Sequence, residues 1–322
     1  MNLVRYFMVF IVLTTLGMLY DRYSKKYFAD EELDKYDLVR KYLLNEEADM
    51  NKPIIWIHNE HKINSRDWLS FNSRNSKKLN APYKCLCIET IVKHCGDSFN
   101  ICLLDDYSFA KLLPGWSIIL EELSDPIRGS VRDLALLNIV HKYGGVILPN
   151  STIIMKDIKP LYDEKMSKTN FSVGEMVNRN STSVISRFFN NKKFIFAKKD
   201  SPVVKKLIEY MEINISKDYT SNSEFEGNLD RVIYDMTRDS KDSKICGRTI
   251  GTKDKEGEVV LIDHLMMNSN IHFCDCKLYC ICIPDKELNK RTKYQWFIRS
   301  NKQQVLEANT QISKYLLISL GK

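Results

Sequence analysis

Two apolar stretches of this chain are each followed by side chains that can bind ligands. One run of four apolar residues leads directly to Asp105 and Asp106, and a second leads to Asn150 and Ser151. Ligands of parallel α/β sheets bind outside the carboxyl ends of the strands. Carboxylates at such a place can hold a divalent metal ion, whereas Asn and Ser offer only neutral oxygens. Asp is also a favoured helix N-cap, so Asp105 and Asp106 have either a ligand-binding or a capping role.

A long helix predicted between these two strands carries further candidates. Asp133 lies early in the helix beside Arg132, and Gly144 and Gly145 follow its end. The Asp133 carboxylate can accept a hydrogen bond from a ligand hydroxyl, or it can pair locally with Arg132 or a neighbouring lysine. The two glycines indicate a left-handed turn that also permits a close approach of the backbone to a ligand.

The elements that position these residues alternate between strand and helix, which predicts an α/β fold with helices on both faces of a sheet. Neither a GxGxxG nor a GxxxxGK[ST] motif is present, which argues against a dinucleotide-binding or P-loop protein. The strands are expected at 54–57, 101–104, 146–148, 152–155, 194–197, 259–262, 278–283 and 315–320, the helices from 82, over 127–142, 202–213 and 229–236, and polar surface loops at 218–226 and 238–258.

The amino-terminal segment differs from the rest. Residues 3–20 are apolar except for one arginine and two threonines, and no small-x-small cleavage site follows them. This pattern predicts an uncleaved transmembrane anchor over residues 1–22, with a buried core helix as the alternative. We expect a stalk helix over 23–50 and a single domain over 51–322. Arg5 and the amino terminus lie on one side of the apolar run and Arg22, Lys25 and Lys26 on the other, which leaves the membrane orientation open.

Composition limits the class of protein. Hydrophobic residues make up 44% of the 322 residues and charged residues 28%, as in folded proteins. The net charge of +7 suits an anionic partner, but no nucleic-acid-binding module is recognisable, so we expect no nucleic acid. The cluster Cys274, Cys276, Cys280 and Cys282 is compatible with a zinc site, but alternate positions on one strand lie too far apart, which favours buried thiols.

One stretch resembles a known family. Residues 132–148 read RDLALLNIVHKYGGVIL, which is similar to the helix, YGG turn and strand of glycosyltransferases with a DXD sugar-binding region. Capsular polysaccharide synthesis proteins and the yeast initiating mannosyltransferases belong to this family. Residues 52–58, KPIIWIH, resemble the opening strand of the family, and the resemblance extends over roughly residues 52–215.

The resemblance implies a GT-A-like, nucleotide-sugar-binding (Rossmann-like) domain with a mixed sheet. It implies a nucleotide-sugar donor, a glycan or glycoprotein acceptor, and Mn²⁺ or Mg²⁺ as cofactor. The implied donor-binding residues are Trp56, Asp105, Asp106, Arg132, Asp133, Gly144, Gly145, Asn150 and Ser151, and we assign His264 and Trp296 to acceptor binding.

Two departures from the family pattern affect the metal. Pro149, Asn150 and Ser151 stand where the family has Asp-x-Asp, so the carboxylates that bind Mn²⁺ or Mg²⁺ are missing. Leu136 stands where a family arginine usually lies. We therefore predict no metal ligands here, and expect lysine or arginine side chains such as Arg132 to stabilise the leaving diphosphate.

Two functions follow as hypotheses. The first is a hexosyltransferase that moves a sugar from a nucleotide sugar to a glycan or protein, with its metal site degenerate. The second is a catalytically inactive protein of the same fold that serves as a membrane-tethered binding or structural component, including one of a virion. Both predict a single-pass membrane protein, of an endomembrane such as the Golgi or of a viral membrane.

Overall fold

The computed structural model describes residues 49, 51–59, 81–125, 127–178, 187–217, 222–237, 240, 242–274 and 276–322. The predicted anchor at 1–22 and the stalk helix at 23–50 lie outside these residues, except for residue 49. Within the described ranges, no helix is long and apolar enough to cross a bilayer.

The domain is built on a mixed sheet of six strands in the order β2-β1-β3-β6-β5-β7. β1 pairs in parallel with β2 and β3, β6 runs antiparallel to β3 and β5, and β7 is parallel to β5. This arrangement confirms an α/β domain with a mixed sheet. The strands are β1 (Ile54–His58), β2 (Asn100–Leu104), β3 (Gly145–Pro149), β5 (Phe171–Val177), β6 (Phe188–Ala197) and β7 (Lys244–Ile245).

Helices connect and cover these strands. Four helices predicted from the sequence are confirmed. The helix predicted from 82 begins at Pro82, the one over 127–142 begins at Ile127, and the one over 202–213 begins at Pro202. The helix predicted over 229–236 lies within a longer helix that begins at Asn222. The helices are α1 (Pro82–Cys95), α2 (Ser108–Leu112), α3 (Ile127–Tyr143), α4 (Lys159–Lys168), α5 (Pro202–Ser216), α6 (Asn222–Thr237), α7 (Ile262–Met266), α8 (Asp285–Lys290), α9 (Gln295–Arg299), α10 (Lys302–Glu307) and α11 (Gln311–Leu320).

A small antiparallel sheet joins two hydrophobic clusters. It consists of β4 (Thr152–Ile154) and β8 (Cys280–Cys282). Successive side chains on a strand point to opposite faces. Ile154 and Cys280 accordingly belong to the cluster formed with the main sheet, while Ile153 and Ile281 belong to the cluster formed with the C-terminal helices. The two-stranded sheet therefore carries one continuous core from the main sheet to the C-terminal helices.

The C-terminal strand prediction is wrong, because residues 315–320 lie within α11. The side chain of Thr310 caps the start of this helix by accepting from the Ser313 amide, and Gly321 ends it at a φ of 67°. Buried residues at 312, 316 and 319 follow the helical repeat, and Ile318 is 65% exposed. A short apolar run does not distinguish a strand from a helix, and in this segment the capping residues Thr310 and Gly321 are the features that indicate a helix.

Three further predictions need correction. Instead of a strand over 259–262, there is one isolated bridge at Val259, and α7 begins at Ile262. The predicted surface loop at 238–258 contains β7, and Ile245 and Ile250 are buried in the core. The loop predicted over 218–226 overlaps α6, which begins at Asn222. In the segment 238–258, the burial of Ile245 and Ile250 decides the structure although the sequence is mostly polar.

Candidate functional site

The carboxyl ends of three parallel strands meet at one edge of the main sheet. His58, the last residue of β1, pairs with Leu104 of β2 on one side and with Pro149 of β3 on the other. The residues after these strands, including Asp105 and Asn150, therefore lie along a common edge, as the sequence predicted. This is the edge where ligands of such sheets bind.

Asp106 is the centre of a compact ion-pair cluster at this edge. Arg132 of α3 donates from Nε to Oδ1 and from Nη2 to Oδ2 of Asp106, each over 2.7 Å. His58 donates from Nε2 to Oδ1 over 2.8 Å, and its ring stacks on Phe109 at a centroid distance of 5.5 Å. The three side chains are only 9–14% exposed. Asp106 and Arg132 thus fasten α3 to the ends of β1 and β2.

The cluster keeps Asp106 ionised. Burial acts to raise the pKa of Asp106, but hydrogen bonds and charge from His58 and Arg132 outweigh it and hold the pKa well below its ordinary value. Both carboxylate oxygens already accept hydrogen bonds, so this group is poorly placed to bind a metal or a ribose hydroxyl. His58 was not among the predicted site residues, although its position at the end of β1 was visible in the sequence.

Asp105 has the capping role that the sequence left open. Its Oδ1 accepts hydrogen bonds from the amide of Ser108 at 2.9 Å and from the Ser108 hydroxyl at 2.5 Å. These contacts satisfy donors at the first turn of α2. Asp105 and Asp106 are neighbours in sequence, but one caps a helix and the other pairs with Arg132.

Asp133 is paired with a lysine that the sequence did not suggest. Its Oδ2 lies 2.5 Å from Nζ of Lys192 on β6, where the lysine side chain is 10% exposed and the aspartate side chain 30%. The adjacent residues Arg132 and Asp133 therefore reach in two directions, one to the end of β2 and the other to β6. Through Lys192, Asp133 also contacts the wall of the cavity described below.

Trp56, Gly144 and Gly145 do not lie at the ligand-binding edge. Trp56 is fully buried and donates from Nε1 to the carbonyl of Gly144 over 2.8 Å. Gly144 and Gly145 have φ angles of 72° and 104°, at the amino end of β3. A Cβ on Gly145 would lie 2.2 Å from the carbonyl oxygen of Ile54, and one on Gly144 would lie 2.8 Å from the amide of Lys199. The left-handed turn is confirmed, and the close approach is to the protein's own backbone.

Asn150 and Ser151 are engaged with neighbouring protein groups. Asn150 is 8% exposed and donates from Nδ2 to Oδ1 of Asn59 over 3.2 Å. Ser151 is fully buried and donates from Oγ to the carbonyl of Ile283 over 2.9 Å. The Ile283 amide in turn donates to the carbonyl of Ser151 over 3.0 Å. Ser151 thus joins the end of β3 to the segment that leads into α8, and its hydroxyl is engaged in this contact.

A cavity of about 340 Å³ opens beside Pro149, at the carboxyl end of β3. Its walls come from β5, β6, α6 and the segment entering α8. Its ionisable lining consists of four lysines and three carboxylates, namely Lys192, Lys193, Lys286, Lys290, Asp230, Asp285 and Glu287. This volume is within the range of roughly 300–1,000 Å³ typical of small-molecule sites.

Two carboxylates of the cavity are neutralised from outside it. Oδ2 of Asp285 lies 3.2 Å from Nζ of Lys84, and Oε2 of Glu287 lies 3.4 Å from Nη2 of Arg291. Burial acts to raise the pKa of Asp285, but the charges of Lys84 and Lys193 outweigh this effect and lower the pKa. With Lys84 and Arg291 counted, and also Asp133, which pairs with Lys192, the described groups around the cavity comprise six cations and four carboxylates, which favours an anionic ligand.

The predicted acceptor residues His264 and Trp296 do not line the cavity. His264 accepts at Nδ1 from the amide of Leu261, over 3.3 Å within its own turn. The neighbouring Asp263 pairs with Arg291, Lys293 and Tyr294, so it does not form a dyad with His264. Trp296 is 50% exposed and packs edge-on against Phe297. Their assignment to acceptor binding stays a prediction.

The four C-terminal cysteines separate into two pairs. The Sγ atoms of Cys274 and Cys276 are 3.5 Å apart near the surface, whereas Cys280 and Cys282 are buried in β8. The four residues do not lie on one strand, because the amide of Lys277 donates to the carbonyl of Cys274. The expectation of buried thiols is confirmed for Cys280 and Cys282 and is wrong for Cys276, which is exposed. Across the described ranges, His, Cys, Asp and Glu side chains form no group of three or more that could hold a metal ion.

No protein-family model and no curated protein matches the sequence. Among solved structures, the chain is similar to the PaToxG glycosyltransferase at 12% identity and a TM-score of 0.35, over 70% of this chain and 80% of that chain. It is also similar to the galactosyltransferase LgtC in complex with donor and acceptor sugar analogs, at 12% identity and a TM-score of 0.32, over 62% of this chain and 75% of that one. Identities and TM-scores at this level establish neither a shared fold nor a shared activity.

Proposed function

We propose that this protein is a glycosyltransferase-like protein that binds a nucleotide sugar in the cavity beside Pro149 and transfers the sugar to a glycan or protein acceptor. The observation that carries the proposal is the position of the cavity. It lies at the carboxyl end of β3, directly after the helix, YGG turn and strand that resemble the glycosyltransferase signature. Its excess of positive charge suits the diphosphate of such a donor.

The lining groups match the parts of a nucleotide sugar. Asn178, Asn191 and Asp230 carry amide and carboxylate groups of the kind that hydrogen-bond sugar hydroxyls. Sugar transfer releases a nucleoside diphosphate, so negative charge develops on the leaving group, and fixed cations nearby stabilise that charge. Arg132 is committed to Asp106, so we assign this role to cavity lysines, above all Lys193.

The proposal includes a membrane location. The apolar run at residues 3–20 supports an anchor over 1–22, followed by a stalk helix over 23–50. The acceptor is then a glycan or glycoprotein at the same membrane. This part of the proposal rests on the sequence alone.

The test is direct binding and turnover with the full chain in detergent. Calorimetry would measure the affinity for UDP, GDP and their common sugar conjugates, and an assay of released nucleoside diphosphate would measure donor turnover. We expect one nucleotide class to bind and its sugar conjugate to be turned over. If it binds without turnover, the catalytically inactive alternative is correct. If neither nucleotide binds to folded protein, the glycosyltransferase-like function is wrong.

A matched pair of variants localises the site. Lys193→Met removes a cavity cation, whereas Lys206→Met removes an exposed lysine on α5 that does not line the cavity. Binding should weaken in Lys193→Met and stay unchanged in Lys206→Met. Equal binding by both variants would place the nucleotide site elsewhere on the protein.

A further inference from the structure

The divalent metal implied by the family resemblance does not fit the residues at the sheet edge. Asp106 is held by Arg132 and His58, and Asp105 caps α2. At the place of the family's metal-binding pair, Asn150 donates to Asn59 and Ser151 is fully buried. Mn²⁺ and Mg²⁺ require oxygen ligands, preferably carboxylates, that point towards the ion. None of these side chains presents a carboxylate that is directed at the cavity and not already bound.

The carboxylates inside the cavity are also engaged. Asp285 is paired with Lys84 and lies close to Lys193, Glu287 is paired with Arg291, and Asp230 accepts from Asn191 over 3.2 Å at one of its oxygens, Oδ2. A single carboxylate supplies too few ligands for a divalent ion, and among the described residues no three His, Cys, Asp or Glu side chains are grouped so as to hold one. A metal ion would have to displace these partners. Metal binding here is therefore unfavourable even though the cavity contains acidic residues.

Lysines occupy the walls where the phosphates of a ligand would need positive charge. Lys192 and Lys193 are consecutive residues of β6 and both line the cavity, and Lys290 at the end of α8 lines it from the opposite element. Lysine ammonium groups bind phosphate oxygens through charge-assisted hydrogen bonds. Cations from two elements can thus contact the two phosphates of a nucleoside diphosphate.

We infer that the cavity binds the diphosphate of its ligand through lysine side chains, chiefly Lys193 and Lys290, without a divalent metal ion. This inference rests on the proposed function and names how its ligand is held. Lys192 stays paired with Asp133, so its main effect is to orient the wall of the cavity. Binding then depends on salt concentration and not on the presence of Mn²⁺ or Mg²⁺.

The experiment compares UDP and GDP with UMP and GMP on the full chain in detergent, in EDTA and then with added Mn²⁺ or Mg²⁺. We expect the diphosphate that binds to do so equally well in EDTA and in metal. Lys193→Met should weaken its binding about tenfold or more, since one charge-assisted hydrogen bond is lost. Lys290→Met should also weaken the binding of the diphosphate. In both variants the affinity for the monophosphate should fall less than the affinity for the diphosphate. Lys206→Met should bind as the unmodified protein does.

The outcomes separate the inference from the function on which it rests. Binding that requires Mn²⁺ or Mg²⁺ would overturn the metal-free diphosphate site and leave the nucleotide-sugar function standing. Binding in EDTA that neither lysine variant changes would overturn the lysine assignment. Because Lys290 is exposed, its variant should fold even if Lys193→Met does not, and circular dichroism checks both. No binding of any nucleotide by the folded protein would refute the proposed function itself.

Discussion

Replacing Arg132 by methionine tests whether this arginine stabilises the fold and not a ligand. Methionine keeps much of the side-chain length and removes the guanidinium. The variant leaves Asp106 with His58 as its remaining hydrogen-bond donor of the cluster, at an edge where the aspartate side chain is 14% exposed. A carboxylate that loses a buried partner retains the cost of its desolvation.

The expected loss follows from the contact geometry. Two hydrogen bonds of 2.7 Å join Arg132 to Asp106, and their charges lie within a few ångströms of each other. A pair about 4 Å apart at an effective dielectric constant of about 20 interacts by about 4 kcal/mol. Because His58 remains and the site is slightly exposed, we expect a loss of about 3 kcal/mol in the free energy of unfolding, near the lower end for broken buried pairs. This corresponds to a fall in Tm of roughly 5 °C or more.

The assay is thermal unfolding followed by circular dichroism over a series of pH values. The folded-state pKa of Asp106 is lower than its unfolded-state value of about 4. The ionised carboxylate therefore stabilises the protein above about pH 4, and this contribution is lost as the pH falls towards the folded-state pKa. The difference in Tm between the unmodified protein and Arg132→Met should be largest near neutral pH and should narrow below about pH 4.

Two variants control this experiment. Arg187→Met breaks an ion pair with Glu258 whose side chains are 66% and 64% exposed, and it should cost less than about 1 kcal/mol. Adding Asp106→Asn to Arg132→Met removes the unpaired charge and should restore part of the lost stability. An unchanged Tm for Arg132→Met, or a loss that the second substitution does not reduce, would refute a structural role for the ion pair. A folded Arg132→Met protein should still bind its nucleotide.

Other substitutions test the backbone turn and the engaged polar residues. Gly145→Ala should prevent folding, since its Cβ would lie 2.2 Å from the Ile54 carbonyl at a φ of 104°, and a cooperative melt at the original Tm would contradict this. Gly129→Ala, in α3 with nothing within 4 Å of the added Cβ, should instead raise stability by up to about 1 kcal/mol in the same melts. Ser151→Ala should cost about 1 kcal/mol in denaturant unfolding, because the buried carbonyl of Ile283 loses one of its two donors and keeps the Asp285 amide, and nucleotide affinity should not change. Weaker nucleotide binding with undiminished stability would instead place the Ser151 hydroxyl on the ligand.

Much of the first half of the fold can be predicted from local sequence. Apolar runs followed by polar residues identify β1, β2 and β3, and the YGG turn at the end of α3 predicts left-handed glycines that the structure contains. These signals depend on a few consecutive residues, so they are visible without knowledge of the fold. The common edge at Asp105 and Asn150 also follows, because parallel neighbours align their carboxyl ends.

The roles of the side chains at that edge cannot be predicted in the same way. Asp133 and Lys192 are 59 positions apart in sequence, taking their residue numbers, and they meet only because β6 packs beside β3. Arg132 is adjacent to Asp133 in the sequence, but its guanidinium pairs with Asp106, 26 positions away. A single sequence contains no signal for pairings of this kind.

The sequence by itself therefore determined the first three strands of the main sheet, the glycine turn and the absence of the family's Asp-x-Asp pair. Only the tertiary structure decided which polar groups are engaged and where positive charge gathers. The cavity joins Pro149, lysines of β6 and the segment entering α8, which lie far apart along the chain. Local periodicity specifies elements, whereas a binding site depends on contacts between distant segments, and those contacts exist only once the core has packed.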